Sequence, residues 1–588
     1  MRSVRHTPTL AVVITLALVG ACDSPQNSAS GHEFNVSSTR VVNPSLAVGG
    51  TIHLGMAGDV DSWDPGRAYF SWAWNLQRMY ARKLVEYRSF DPQHAEALEP
   101  DLAIGLGESS ANFTRFTYHL KEGIKFEDGA PITSKDVKYA LKRIFATDVI
   151  SGGPTGYFLC LLDTCEDGST PAYQGPYKDQ SGEPMVDGRP SIETPNSKTI
   201  IFHLSRPFAA WDYLMAMGPS SPIPQAKDDG ENYTQHPISS GPFKITQYDP
   251  DTGTTFVRND QWDQATDTIR RPKVDSIVVD YISNQDDIDQ RLKAGSLDYR
   301  VDGGLQPGFL GEALANPRLK RHLDTPPTGS LGYLVLMQQV KPLDNIDCRR
   351  AVFYAVDKRS FLLGNGGANT GEIAHTLTAP GLPGYDGRPQ LNRYPNGADY
   401  TGDLTAARAA LRSCGHPEGF EVNLSYVTGG IGQARAVAVQ QALARVGITV
   451  KFKPADAKDN SIGSSRSVVA SKLGVAITPG WAADFPNPYG LWFVLAHGDA
   501  NQPTSDDNYP DLDDPRINEL IDRSLQVPPE QWPSLERQLD DALMDAAVFV
   551  PMIYSKIVYW RAERLTNVYS TYYFGQYDVV NLGVSDGR

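Results

Sequence analysis

The sequence predicts an α/β protein of more than one domain, on three observations. Val422, Leu424 and Tyr426 alternate as a strand, Val439, Ala442, Leu443 and Val446 form one helical face, and Ile448, Val450 and Phe452 alternate again. Strand, helix, strand at this spacing is a βαβ unit and implies parallel pairing. Residues 116–145 hold a second strand and helix unit of their own. The length, 588 residues, exceeds what one hydrophobic core organises.

Taken in order, the chain opens on Met1-Arg-Ser-Val-Arg-His6 and an apolar run from Leu10 to Val19 that is too short to span a bilayer. Small residues follow up to Cys22. This pattern reads as a signal peptide over 1–21. Its ending resembles a bacterial lipobox, which makes Cys22 the lipidated first residue; the alternative is a plain secretory signal with Cys22 incidental. Removal of 1–21 takes Arg2 and Arg5 with it, moving the formal charge from −15 to −17. Residues 22–44 are polar and small and read as a flexible tether.

Thr51 to Gly55 alternates as a short strand and runs into a turn rich in acids, Asp59 to Asp64-Pro65. Tyr69, Phe70, Trp72 and Trp74 follow, a cluster that suits either a buried helix start or a cleft wall. Further on, Phe116, Tyr118 and Leu120 alternate, Ile124 to Phe126 makes a second short strand, and Asp128-Gly129 turns. Thr133 with Asp136 signals a capping box, and Val137, Ala140, Leu141, Ile144 and Phe145 share one helical face. Leu535, Leu539, Ala542, Leu543 and Ala546 form another amphipathic helix near the end.

Between Lys472 and Asp499 the only charged residue is Asp484, set among Trp481, Phe485, Tyr489, Trp492 and Phe493. A carboxylate in such surroundings needs a partner: a cation, backbone N–H groups or a ligand ammonium. The other reading is a turn, since Asp-x-Pro-x-Pro is ordinary loop chemistry.

Beyond Cys22 there are four cysteines, an even number in an exported chain, and four allow three pairings. Cys160–Cys165 and Cys348–Cys414 are the favoured pairs. The second closes a long loop and contributes about 4 kcal/mol by the chain-entropy argument. Metal ligation is the weaker alternative, because no CxxC or neighbouring His pair accompanies them.

A net charge of −15 and the lack of a Lys/Arg cluster argue against nucleic acid as a partner. No His-Glu-x-x-His, Gly-x-Ser-x-Gly or Walker loop is present, and Gly430-Ile-Gly432 fails the dinucleotide fingerprint, so neither an enzyme nor a cofactor is expected. The acids between Asp506 and Asp514 lack the glycine and terminal glutamate of a calcium loop and read as a solvated loop.

The run from Phe116 to Arg143 resembles, nearly position by position, the signature of the peptide/nickel class (family 5) of bacterial extracellular solute-binding proteins, the receptors of ABC importers. The resemblance continues through Leu98 to Ala103, Ser240-Gly-Pro-Phe-Lys244, Leu292 to Asp298, Cys348 to Asp357, Val446 to Val450, Gly480-Trp481 with Asp484, and Val550-Pro551-Met552. Residues 151–195 are longer and richer in Gly and Asp than the family pattern.

That resemblance implies a two-lobed, hinged fold of the periplasmic-binding-protein type. The first lobe is expected over 45–327 and 553–588 with a subdomain near 90–195, and the second over 328–552, with chain crossings near 328 and 552. It implies a non-enzymatic receptor that captures peptides outside the cell and passes them to a membrane permease. By resemblance, Asp484 pairs with the peptide α-ammonium, Gly480 and Ala482 with its main chain, and Trp481 walls a side-chain pocket, while Tyr69 and Ser71 contribute from the other lobe. Oligosaccharides, stacked on aromatic rings, or nickel chelates are the alternative ligands. A monomer anchored by lipid on the outer face of the cytoplasmic membrane completes the expectation.

Overall fold

Two strands lying side by side carry the chain between the halves of the molecule. The structure, a computed structural model, describes residues 34–90, 94, 97–165, 170–455, 468, 471–478, 480–501, 507–571 and 573–586. Cys22 and the expected signal peptide lie outside these residues. Pro327–Leu336 runs antiparallel to Phe549–Lys556, with Pro327 opposite Lys556 and Val335 opposite Phe549. Just before and after them, Leu323–Asp324 pairs with Tyr559–Trp560. Strand pairing thus continues to Lys556, so the second crossing falls beyond the expected 552. Pro551 is accommodated because the register shifts between Gly332 and Tyr333, at a position where the ladder is already irregular.

On one side of this pair stands a five-stranded sheet, in the order Phe243–Asp249, Gly253–Arg258, Ser276–Tyr281, Thr51–Met56, Tyr299–Arg300. Thr51–Met56 is parallel to both its neighbours. The pair itself belongs to a six-stranded sheet in the order Gly371–Ile373, Phe549–Lys556, Pro327–Leu336, Leu473–Ile477, Glu421–Val427, Thr449–Ala455. Glu421–Val427 and Thr449–Ala455 are parallel, joined by the helix Gly430–Ala444, as the 3.6-residue and two-residue periods require. All five residues of Leu473–Ile477 are buried, the mark of a strand covered on both faces.

A separate four-stranded sheet, in the order Glu108–Ser109, Arg115–His119, Thr199–His203, Ile192–Asn196, carries the region of the family signature. It extends past the expected limit of 195, because Thr199–His203 supplies the central partner of Arg115–His119. The helix Ser134–Arg143 begins with a complete capping box: the Asp136 carboxylate accepts from the Thr133 N–H at 2.8 Å and from its hydroxyl at 2.7 Å. The stretch Ile124 to Phe126 forms only an isolated bridge between Lys125 and Pro131.

The expected tether ends earlier than residue 44. Asn35 donates its N–H to Leu323 O at 2.9 Å, Ser37 shares a 2.7 Å hydroxyl contact with Ser570, and Val42 pairs with Val568. These residues are docked on the first lobe through their main chain, which polarity alone does not report.

Both disulfides join the favoured pairs. Cys160 is bonded to Cys165, and Cys348 on the helix Ile346–Ala355 is bonded to Cys414 at the end of the helix Leu404–Ser413. The second bridge closes a loop of 66 residues. A Cys348→Ser, Cys414→Ser double variant is expected to lose about 2–4 kcal/mol in urea unfolding, with the binding site unaffected.

Beneath the five-stranded sheet lies a cluster of fully buried charges. Arg270 contacts Asp101 at 2.9 Å, Asp267 at 3.1 Å and Glu86 at 3.3 Å. Arg82 contacts Asp101 at 2.7 Å, Lys83 contacts Glu86 at 2.9 Å and Arg78 contacts Asp578 at 3.1 Å. Four cations thus meet four carboxylates, which is the condition under which charges are tolerated in an interior.

Candidate functional site between the two lobes

The strand Leu473–Ile477 leaves the six-stranded sheet and returns at once, because Trp481 and Leu331 exchange backbone hydrogen bonds at 2.9 and 3.1 Å. Gly480 makes that return possible. Its φ is +113°, and a Cβ there would sit 2.6 Å from the Ser330 hydroxyl. Downstream, Asn487 caps the helix Pro488–Ala496 by accepting from the Tyr489 N–H at 2.7 Å, with proline at the first helical position. Asp484 is held between these two fixed points, its own N–H donating to Gly490 O at 3.1 Å.

From this position the Asp484 side chain reaches across to the first lobe. Its Oδ2 accepts from the Tyr69 hydroxyl at 2.7 Å and from the Tyr157 hydroxyl at 2.5 Å. The Tyr573 hydroxyl donates to the Asp484 main-chain carbonyl. Among the described residues no Lys, Arg or His lies within ion-pair distance of this carboxylate. Burial pushes its pKa up to about 6 against the lowering effect of the two tyrosine hydrogen bonds, and the Asp507 charge adds to the rise. Both tyrosine hydroxyls are correspondingly harder to ionise, through burial first and the Asp484 charge second.

The acid-rich turn explains how Tyr69 is aimed. Asp61 accepts from the Tyr69 and Phe70 N–H groups at 2.5 and 3.3 Å, and Asp64 is locked by Arg143 at 2.8 Å. These acids are therefore scaffold for the tyrosine. Apolar contact closes the same side of the cleft: Tyr157 stands edge-on to Phe485 at 5.4 Å, and Phe208 to Tyr489 at 5.6 Å.

The expected site residues divide unequally. Asp484 and Tyr69 meet directly. Trp481 is half-buried, with its backbone committed to Leu331 and its indole N–H without a partner among the described residues. Gly480 is a fold requirement first. Ala482 is exposed, and among the described residues its main-chain groups have no hydrogen-bond partner. Ser71 is the exposed first residue of the helix Ser71–Tyr80 and makes no contact with Asp484. Tyr157 and Tyr573 escaped the sequence reading, since nothing local marks a tyrosine whose partner lies 327 or 89 residues away.

Toward the hinge lies an open cavity of about 1120 Å³. The loop around Gly303 and the helix Pro307–Ala315 form one wall, and Leu363 to Gly366 with Ile431 and Arg435 form the other. Ser330 lines this cavity and lies on the hinge strand beside Gly480, where an added Cβ would meet its hydroxyl. Of the cations around it, Arg300 is paired with Asp302 at 2.8 Å and Lys556 with Glu372. Arg435 has no carboxylate partner among the described residues. It donates to the neutral Asn365 side chain at 2.9 Å and lies 5.6 Å from the Phe361 ring, and burial pushes its pKa down to about 10. A single unbalanced cation facing an interlobe cavity was not legible in the sequence, where Arg435 sits in an unremarkable helical segment.

Comparison with known proteins agrees with this architecture. Residues 97–503 match the family described as bacterial extracellular solute-binding proteins, family 5 Middle. The oligopeptide-binding protein OppA of Bacillus subtilis (strain 168) is 26% identical over 262 residues, 43% of this chain and 44% of that protein, so the match spans less than half of that relative's length. The probable D,D-dipeptide-binding periplasmic protein DdpA of Escherichia coli (strain K12) is 25% identical over 454 residues, 75% of this chain and 77% of that one. Among solved structures, the clavulanic acid biosynthesis oligopeptide binding protein 2 superposes with a TM-score of 0.89 at 38% identity, over 95% of this chain and 100% of that one. With more than half its length matched by the family and a two-lobed fold shared with a solved relative, this chain belongs to the bacterial extracellular solute-binding proteins of family 5.

Proposed function

We propose that this protein is the lipid-anchored receptor of an ABC importer and captures peptides by their two charged ends. The observation that carries the reading is Asp484, a carboxylate between the lobes that has two tyrosine hydroxyl partners from the opposite lobe and no cation partner among the described residues. A peptide α-ammonium supplies the missing charge, and the main-chain groups of Ala482, unpaired among the described residues, are available to the peptide backbone. Arg435, the cation without an anion across the cavity, suits the terminal carboxylate. The names of the relatives, oligopeptide- and dipeptide-binding proteins, support the same ligand class.

Recognition through termini and main chain leaves sequence specificity to the cavity walls. Contacts made by both lobes at once exist only in the closed form, so the ligand shifts the equilibrium toward it, and a permease reads that form. The hinge is the strand pair that crosses near 327 and beyond Lys556. Cys22 anchors a monomer to the outer face of the cytoplasmic membrane, and the tether keeps receptor and permease at a raised effective concentration. The protein acts by binding and release, without catalysis. A Cys22→Ser variant expressed in a bacterial host tests the anchor: it leaves the membrane fraction if the lipid holds the protein.

The ligand assignment is tested by thermal shift of the domain from residue 34 with mixed tetrapeptides, free, N-acetylated or C-amidated. Free peptides raise the melting temperature by mass action. Each blocking group is expected to abolish most of that rise. Stabilisation by oligosaccharides with none by any peptide would send the assignment to a sugar receptor.

A further inference from the structure

The cavity beside Arg435 is walled by apolar side chains that the described residues leave partly or largely exposed. Leu363 is 66% exposed and Ile431 is 46% exposed, values that stand out in a chain whose large apolar residues are mostly buried. Ile431 and Arg435 are separated by four residues on the helix Gly430–Ala444 and so share a face, one turn apart. Leu363 is brought to the same place by Gly364, where a Cβ would stand 3.1 Å from the Ala434 carbonyl and 3.2 Å from the Arg435 nitrogen. The bare backbone of Gly364 thus lets the Leu363 segment lie directly on the helix beside the arginine.

The opposite wall matches. Leu310 and Leu314 are four residues apart on the helix Pro307–Ala315; both line the cavity, while Phe309 and Ala313 on the other face are buried in the first lobe. Two leucines from one lobe therefore face a leucine and an isoleucine from the other, next to an arginine that has no carboxylate partner among the described residues. Exposed apolar surface concentrated in a cavity marks the part of a ligand that leaves water there.

Resting on the peptide assignment above, we infer that this receptor selects peptides whose carboxy-terminal residue is apolar, the carboxylate lying on Arg435 and the last side chain between Leu363, Ile431, Leu310 and Leu314. The ends differ in this respect: at the Asp484 end the aromatic rings pack on one another, whereas at the Arg435 end the apolar side chains are open. Burial of one leucine-sized side chain corresponds to a gain of about tenfold or more in affinity.

The test is calorimetric titration of the unmodified protein with Ala-Ala-Ala-Leu, Ala-Ala-Ala-Ser and Ala-Ala-Ala-Asp, repeated on Ile431→Ser and Leu363→Ser. Both substituted residues are exposed, so the variants are expected to keep the parental melting temperature, which is checked first. The leucine peptide is expected to bind at least about tenfold tighter than the serine peptide and more tightly still than the aspartate peptide, and the advantage is expected to shrink about threefold or more in each variant. Equal affinities for all three peptides, each still dependent on a free amino group, overturn the selectivity and leave the peptide assignment standing. Binding of none of them, with the protein folded, overturns both. A leucine advantage that survives unchanged in both variants overturns the location.

Discussion

Asp484→Asn is expected to lower the affinity for a free-amine peptide by about 30-fold to several thousand-fold, and at the same time to make the empty protein more stable. The first effect follows from removing one member of a buried charge pair, which costs about 2–5 kcal/mol in complexes of this kind. The second follows from the carboxyl pKa, which burial raises from 3.8 to about 6. An acid whose folded pKa is raised is destabilising when ionised. Below about pH 4 the carboxyl is protonated in both folded and unfolded chains and the penalty is absent. Between pH 4 and 6 it appears, and above 6 it is complete, at about 2 kcal/mol once partial solvent contact is allowed for. Asparagine keeps a carbonyl for the two tyrosine hydroxyls and carries no charge. Its stability advantage over the parent is therefore expected at pH 7 and absent at pH 4, in melting curves recorded across that range.

Glu536 and Asp540 also titrate in this interval, with burial raising them to about 7 and about 6, but they serve Thr378 and Leu377 elsewhere in the second lobe and are common to both proteins. Subtracting variant from parent removes them. Binding has its own signature: affinity for the free-amine peptide is expected to fall about tenfold per pH unit below 6 in the parent and to stay flat in the variant. Equal affinities of parent and variant at pH 7 would sink the assignment of Asp484 as the ammonium partner.

What the sequence disclosed depended on whether the signal was local. The capping box at Thr133 and the alternating strands flanking the helix Gly430–Ala444 are written within a few residues and appear as read. Asp484 was legible for the same reason, as one charge in a long apolar and aromatic stretch. Its partners were not. Tyr69 could be proposed because it follows an acid-rich turn, and the turn does orient it through Asp61. Tyr157 stands in a segment longer and richer in glycine than the family pattern, and the segment delivers a hydroxyl to the site. Ser71, two residues from Tyr69, opens a helix and is exposed, without contact to Asp484. Main-chain pairing, of Val42 with Val568 and of Lys556 with Pro327, runs through the segments read as tether and second hinge crossing, and side-chain composition does not encode such pairing.

Arg270→Met is expected to cost about 5 kcal/mol, the largest loss of stability from any single substitution considered for this protein. The side chain is fully buried and contacts Asp101, Asp267 and Glu86, so its removal leaves four buried carboxylates facing three cations, with one charge uncompensated. Methionine fills similar volume, which separates the electrostatic loss from a cavity effect. In the parent, burial works to raise the Asp101 pKa, but the charges of Arg270 and Arg82 outweigh it and hold the carboxyl well below the usual range. That depressed pKa contributes stability above about pH 4, where the unfolded chain is also ionised, and the contribution is lost only as pH falls through the folded value. Without Arg270 the balance inverts. The uncompensated carboxylate charge binds protons more readily folded than unfolded, so the variant gains more stability than the parent as pH falls from 7 to 4. The difference between them is therefore expected to narrow by more than half over that range in urea unfolding. A packing defect gives a difference that does not change with pH. Neutralising one acid as well, in Arg270→Met, Glu86→Gln, is expected to recover about 1–2 kcal/mol at pH 7, because the cluster then holds one fewer uncompensated charge. Recovery of that kind ties the cost to charge balance rather than to the arginine itself, and explains how four cations and four carboxylates can share one core with Asp484 left alone in the cleft.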